Sequence, residues 1–100
     1  MVVSTFPEEA KAREVARALV DERLAACVTI VPRVTSIYRW DGAVHEDAEA
    51  LAVIKTTSDR VEAMRARLIA MHPNQVPEAI DVPVIGGHAP YLAWVTESTS

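Results

Sequence analysis

The stretch Val34-Thr35-Ser36-Ile37-Tyr38-Arg39-Trp40-Asp41-Gly42 decides the fold of this 100-residue chain. Its β-branched and aromatic residues are typical of a strand, and Asp41-Gly42 favours a two-residue hairpin turn whose central residues take positive φ. A second long strand is expected after the turn, from about 43 to 57. The first strand extends back through Val28-Thr29-Ile30-Val31, where Pro32 removes a ladder donor and predicts a bulge or bend. Each predicted strand is about 15 residues long, against the usual five or six.

The residues before this hairpin predict a short strand followed by an amphipathic helix. Met1-Val2-Val3 is a short apolar run typical of a strand. Thr5-Phe6-Pro7-Glu8 fits a capping box, in which Thr5 accepts from the first free amides and Glu8 reaches back. The helix is expected over about 7 to 24. Its apolar face is formed by Ala12, Val15, Ala16, Leu19 and Val20.

The residues after the hairpin predict a second helix, a strand and a short last helix. Ser58 is expected to cap the second helix, which stops at His72-Pro73 because proline disfavours helix. Its apolar face is Val61, Met64, Leu68 and Met71. The next strand alternates Ile80, Val82 and Val84 with Ala79, Asp81 and Pro83, and Gly86-Gly87 ends it. Pro90 favours a last helix that carries Tyr91, Leu92 and Val95 inward.

The order strand, helix, strand, strand, helix, strand predicts an α+β protein. It matches the split βαβ of the ferredoxin-like βαββαβ sandwich, with an antiparallel sheet and two helices on one face, here with a short C-terminal helix. The chain is expected to be a single domain over residues 1–100. An uncovered sheet face and overhanging hairpin strands invite aggregation unless another chain buries them. We therefore expect a closed homo-oligomer.

Composition excludes several classes of partner. The formal net charge of −4 and the absence of a basic face argue against nucleic acid. The single cysteine, Cys27, cannot form an internal disulfide and is expected to be a buried small hydrophobic residue. No signal segment and no apolar run of about 20 residues is evident, so membrane insertion is not expected. These features predict a cytoplasmic protein.

Seven separate motifs together resemble the CutA divalent-cation tolerance family. They are Glu22-Arg23-Leu24-Ala25-Ala26-Cys27-Val28, Thr35-Ser36-Ile37-Tyr38-Arg39-Trp40-Asp41-Gly42, Lys55-Thr56-Thr57, His72-Pro73, Val76-Pro77-Glu78, Pro83-Val84 and Tyr91-Leu92-Ala93-Trp94. The resemblance runs almost end to end and in order. It implies a ferredoxin-like subunit assembled as a homotrimer, with a role in tolerance to copper and other divalent metals.

His72 is the candidate metal ligand, because a neutral imidazole binds transition metals. The alternative is that its ring caps the preceding helix by interacting with free carbonyls. The resemblance implies that copper-binding relatives use a cysteine at the end of the first strand and a second histidine before His-Pro, where this chain has Ser4 and Met71. Only weak binding of copper or another divalent cation is therefore expected. His45, among three acids, forms either a weak divalent-cation surface or a solvated charged face.

Lys55 and Glu78 are expected to meet near the end of the sheet, with Tyr91 and Trp94 as aromatic walls. Such groups suit a small-molecule pocket between subunits. A structural ion pair with aromatic packing at the trimer seam explains the same residues, and we favour it because such networks commonly have no catalytic role. Tyr38 and Trp40 add further aromatic surface.

The sequence contains no nucleophile with a base at local spacing and no phosphate loop. We therefore predict a non-enzymatic, trimeric, cytoplasmic divalent-cation tolerance protein that binds copper weakly. The alternatives are a small-molecule sensor with ligand sites in the intersubunit clefts and a structural scaffold.

Overall fold

A computed structural model describes all residues from Met1 to Ser100. Seven elements follow one another: β1 (Val2–Phe6), α1 (Glu9–Asp21), β2 (Cys27–Trp40), β3 (Ala43–Lys55), α2 (Val61–Met71), β4 (Ile80–Asp81) and α3 (Ala89–Ser98). The strands form one sheet in the order β2-β3-β1-β4, and every neighbouring pair is antiparallel. This is the strand order of the ferredoxin-like fold, and it confirms the predicted α+β class.

The hairpin has the predicted turn and the predicted bulge. Asp41 and Gly42 take φ values of 52° and 77°, as a tight two-residue turn between twisted strands requires. Val31 pairs with Leu51 and Val34 pairs with Glu49, so β2 carries one extra residue around Pro32. The bulge arises because proline has no N–H to give to the ladder.

The core lies between one face of the sheet and the helices α1 and α2. Its eleven buried residues come from α1, α2, the centre of the sheet and Ala25: Val2, Phe6, Ala12, Val15, Leu19, Ala25, Ala50, Ala52, Ile54, Met64 and Leu68. Val61 and Met71 pack against it as predicted for α2, whereas Val20 of α1 is exposed. Neither α1 nor α2 covers the opposite side of the sheet, which we call the open face.

Two predicted helix caps are wrong. Thr5 does not cap α1, because it pairs with Leu51 in the β1–β3 ladder and the helix starts only after Glu8, which makes no side-chain cap bond. Ser58 does not cap α2 either. The carbonyl of Thr57 accepts from the amides of Arg60 and Val61 at 3.0 Å each, so the helix begins two residues later. At Thr5, tertiary pairing overrides the local signal, and at Ser58 a local turn that starts at Thr57 replaces the predicted cap.

Two element ends and the buried face of the last helix also differ from the predictions. The first helix ends at Asp21 rather than near 24, because Arg23 takes a φ of 60°. The last strand pairs with β1 only at Ile80 and Asp81, and Val82 adds a two-way backbone contact with Met1, after which β1 offers no further partner. In α3, Val95 is buried as expected, but Tyr91 and Leu92 are exposed.

The part of the hairpin from Val34 to Glu49, which we call the arm, extends beyond the rest of the sheet. The β1 strand ends where Phe6 pairs with Ala50, so no third strand accompanies the arm. The molecule is correspondingly elongated, with extents of 44 × 24 × 22 Å. Several large apolar side chains of the arm are exposed: Ile37, Tyr38, Trp40 and Val44.

Candidate functional site

His72 is the most enclosed of the predicted site residues. It follows the last residue of α2 in an extended conformation, and its side chain is buried against β1. The ring stacks on Phe6 with centroids 4.3 Å apart and an interplanar angle of 19°. Its Nε2 lies 2.8 Å from the carbonyl oxygen of Thr5, and its Nδ1 lies 3.1 Å from the amide nitrogen of Asn74.

These two contacts define the state of the imidazole. The amide of Asn74 only donates, so Nδ1 accepts and carries the lone pair. The Nε2–H then donates to the carbonyl of Thr5. The ring is therefore a neutral tautomer that ties the connector after α2 to β1. The alternative of a ring that caps the carbonyls of α2 is not what the structure shows.

His72 has no metal-binding group assembled around it within one subunit. No cluster of three or more His, Cys, Asp or Glu side chains able to hold a metal ion is present in the chain. Ser4 is fully buried on β1 and its Oγ has no hydrogen-bond partner. Met71 packs partly buried against the core. The assignment of His72 as a ligand stays a prediction.

Glu78, in the connector between α2 and β4, lies close enough to Glu49 for the two carboxylates to repel each other. Burial raises the pKa of the Glu78 carboxyl and the negative charge of Glu49 raises it further, whereas His72 opposes the shift only when its ring is protonated. Both glutamates are half-buried. Two like charges therefore lie together at the boundary between the sheet and the arm.

Lys55 lies at the other end of this part of the sheet. It pairs with Cys27 across the β2–β3 ladder, and its Nζ lies 2.9 Å from the Oγ1 of Thr29 and 3.9 Å from the Sγ of Cys27. Cys27 is half-buried rather than part of the core, a correction to the prediction. Six residues of extended strand, about 20 Å, separate Lys55 from Glu49. Lys55 and Glu78 do not meet within one subunit, and the pocket between subunits stays a prediction.

The predicted aromatic walls belong to separate surfaces of the subunit. Tyr91 and Trp94 contact each other on α3 with ring centroids 5.4 Å apart, and both are about 40% exposed. Tyr38 and Trp40 lie on the arm. A single chain therefore does not bring the four aromatic residues together.

One polar cluster on the arm was missed by the sequence reasoning. Tyr38 stacks on His45 with centroids 5.6 Å apart, and its hydroxyl donates to the carboxylate of Asp47. That hydrogen bond, with some burial and the nearby negative charges, raises the pKa of Tyr38. A ring nitrogen of His45 lies 3.2 Å from the carbonyl oxygen of Trp40. The signal was available, since the Asp41-Gly42 turn fixes a register in which Tyr38 faces His45.

Two surface grooves lie on the chain away from the predicted site residues. One, of about 330 Å³, lies between α1 and β2 and has Arg13 and Arg17 at its rim. The other, of about 380 Å³, lies between Met1, the start of α2 and the residues after β4. No helix in the structure has the length and apolar character needed to cross a bilayer.

Comparison with known proteins connects this chain to one family along nearly its whole length. The profile of the CutA1 divalent ion tolerance protein family matches residues 1–98. The divalent-cation tolerance protein CutA of Thermus thermophilus is 50% identical over 99 residues, covering 99% of this chain and 96% of that protein. Its solved structure, 49% identical with the same coverage, superposes with a TM-score of 0.94.

Two further relatives show how far the similarity extends. Protein CutA of Mus musculus is 50% identical over 99 residues, but this chain spans only 56% of the mouse protein and is itself covered over 96% of its length. The structure of the periplasmic divalent cation tolerance protein CutA from Archaeoglobus fulgidus is 28% identical, with a TM-score of 0.95 and coverage of 99% and 96%. With the fold and the sequence in agreement, this chain belongs to the CutA1 divalent ion tolerance protein family.

Proposed function

We propose that this protein acts in divalent-cation tolerance as a non-enzymatic homotrimer that binds copper, or another divalent cation, weakly. The observation that carries the proposal is the match to the divalent ion tolerance family over residues 1–98. The relative from Thermus thermophilus, which this chain matches almost end to end, is also named for divalent-cation tolerance.

The surroundings of His72 supply a physical reason for weak binding. A metal ion needs a lone pair on the imidazole, and the only one available, on Nδ1, already accepts from the amide of Asn74. Metal binding at Nδ1 costs that hydrogen bond and part of the burial of the ring. Soft ligands nearby are limited to Met71, whose thioether suits Cu(I) but packs against the core.

The arm supports the trimeric part of the proposal. A two-stranded ribbon is at best marginally stable in water without a third strand or a packed face. The arm has neither within the subunit, and it exposes Ile37 and Val44 by 67% and 61%. Other copies of the chain are the partners we propose for this surface.

We also propose a cytoplasmic location. Cys27 is a free, half-buried thiol, which suits a reducing compartment. The relative from Archaeoglobus fulgidus is named as periplasmic, so location requires its own measurement. Fractionation of cells that carry a tagged copy provides it, and recovery outside the cytoplasm would contradict this part of the proposal.

Calorimetric titration of Cu(II) into the metal-free protein tests the metal role. We expect weak binding that is lost in His72→Ala and kept in His88→Ala, a matched change at an exposed histidine. Because His72 is buried, circular dichroism must first show that His72→Ala is folded. In the wild type, Cu(II) should also broaden the NMR signals of the His72 ring. Identical isotherms for the two variants and an unbroadened ring would rule out His72, and no binding at all would rule out the metal role.

A small-molecule function has one specific observation in its favour. Lys55 is a half-buried ammonium on the open face with no carboxylate partner in its own subunit. An anionic metabolite in an intersubunit cleft would supply one. Thermal shift with a panel of organic anions, compared between wild type and Lys55→Met, checks this alternative. Equal shifts in the two proteins, or none, would exclude it.

A further inference from the structure

Lys55 has only neutral neighbours in its own subunit. Its Nζ contacts the hydroxyl of Thr29 at 2.9 Å and the thiol of Cys27 at 3.9 Å. The four ion pairs of the subunit use other cations, namely Lys11, Arg13, Arg65 and Arg67. Removing part of the solvent from an ammonium without supplying a counterion is unfavourable.

Glu49 and Glu78 present the opposite problem. Both carboxylates are half-buried, and neither belongs to any of the four ion pairs. They lie near each other, and burial together with the charge of Glu49 raises the pKa of Glu78. A cation placed between these carboxylates would relieve both the repulsion and the loss of solvent.

The pleat of β3 places Glu49 and Lys55 on a common surface. Glu49, Leu51, Val53 and Lys55 alternate with the core residues Ala50, Ala52 and Ile54, so they lie on the open face. Leu51 and Val53 are half-buried without cover from α1 or α2. The open face therefore has Lys55 at one end, Glu49 with Glu78 nearby at the other, and apolar residues between them. The separation of about 20 Å prevents the charges from meeting within one subunit.

Such a strip is complementary to a second copy of itself. In a ring of three copies, the Lys55 end of each copy meets the acidic end of the next, which brings opposite charges together and covers apolar surface. Resting on the homotrimer proposed above, we infer that Lys55 of each subunit pairs with Glu49 and Glu78 of a neighbouring subunit. The partner is another copy of this chain, and the partner copy completes the site.

A charge exchange followed by sedimentation equilibrium tests this pairing. Lys55→Glu should raise the subunit dissociation constant at least about tenfold, and the double variant Lys55→Glu with Glu49→Lys should recover most of the loss. Lys11→Glu is the matched control, because Lys11 is the only other lysine and is also half-buried, but lies on α1 in an ion pair with Glu14. It should change the constant less than twofold. Circular dichroism establishes that each variant is folded.

The outcomes separate the pairing from the assembly on which it rests. A monomeric wild type would overturn both the homotrimer and the pairing. If the wild type is oligomeric and Lys55→Glu has the same subunit dissociation constant as Lys11→Glu, the pairing alone is overturned. If Lys55→Glu weakens assembly and the double variant with Glu49→Lys does not restore it, the pairing is also overturned. That result would favour a bound anion as the partner of Lys55.

Discussion

The base of the hairpin and the arm belong to one antiparallel ladder but have opposite surroundings. The base, Cys27–Val31 with Leu51–Lys55, lies beside β1 and under α1, and Ile54 is 1% exposed there. Along the arm, Val34–Glu49, the same ladder continues with no third strand, and Ile37 is 67% exposed. Backbone hydrogen bonds alone therefore do not distinguish the two regions.

The difference shows which interactions stabilise each region. The base is buried by its own chain, so its packing forms when a single subunit folds. The arm has a defined turn and register, but its apolar side chains find no cover within the subunit. Because an isolated ribbon is marginally stable, we expect the arm to depend on assembly and the base to depend on folding.

The largest predicted effect comes from shortening one isoleucine in each region. Ile54→Ala should lower the free energy of unfolding by about 2–5 kcal/mol, because it opens a cavity in the core. Ile37→Ala should leave subunit packing intact and instead raise the dissociation constant between subunits. Urea unfolding at fixed protein concentration measures the first effect, and sedimentation equilibrium measures the second. If Ile37→Ala reduced stability as much as Ile54→Ala without altering assembly, the distinction between base and arm would fail.

Removing the buried hydroxyl of Ser4, on the strand next to the base, should stabilise the protein. Ser4 lies on β1 opposite Ala52, with 0% exposure and an unpartnered Oγ. Ser4→Ala should raise the free energy of unfolding by about 1 kcal/mol, because the cost of the unpaired hydroxyl disappears. The control on the arm is Ser36→Ala. Ser36 is half-buried and its side chain makes no hydrogen bond, so little change in the free energy of unfolding is expected. Destabilisation by Ser4→Ala in urea unfolding would show that the hydroxyl has a favourable partner.

The turn of the arm should respond to conformational strain alone. Gly42 has a φ of +77°, and a Cβ placed there would meet no atom within 4 Å. Gly42→Ala should therefore cost about 1 kcal/mol through backbone strain and speed amide exchange at the tip of the arm. Gly86→Ala is the control, because Gly86 also has open space but no positive φ. Equal effects of the two changes would contradict the strain argument.

The smallest predicted effect concerns pH at the boundary between base and arm. The folded subunit raises the pKa of Glu78 above its value in the unfolded chain, so the folded state holds the proton more tightly. Stability of the dissociated subunit should fall as pH rises from the unfolded pKa through the raised folded pKa. Glu78→Gln should remove this fall and make the free energy of unfolding slightly larger near neutral pH. The measurement is urea unfolding as a function of pH, at protein concentrations where the subunits are separate. The same pH dependence of stability in both proteins would contradict the prediction.

Local chemistry predicted the parts of the fold that depend on neighbouring residues. The Asp41-Gly42 turn, the bulge at Pro32 and the buried face of α2 all follow from short-range constraints, and the structure has them. The cap assigned to Thr5 failed because a distant strand pairs with its backbone, and the cap assigned to Ser58 failed because the turn begins one residue earlier, at Thr57.

The candidate site was less predictable for the same reason. The ring of His72 meets the carbonyl of Thr5, 67 residues away, and no spacing in the sequence indicates that contact. Lys55 and Glu78 were expected to meet near the end of the sheet, but they lie toward opposite ends of the β1–β3 ladder. The pairing that we propose for them requires a second copy, which a single sequence does not describe.

The mass of the wild-type protein in solution tests the central claim most directly, namely that other copies of the chain cover the arm. Light scattering coupled to size exclusion should give three times the 10.9 kDa subunit mass at micromolar concentration. A stable species of 10.9 kDa that remains folded would contradict the account, because the arm would then persist without cover.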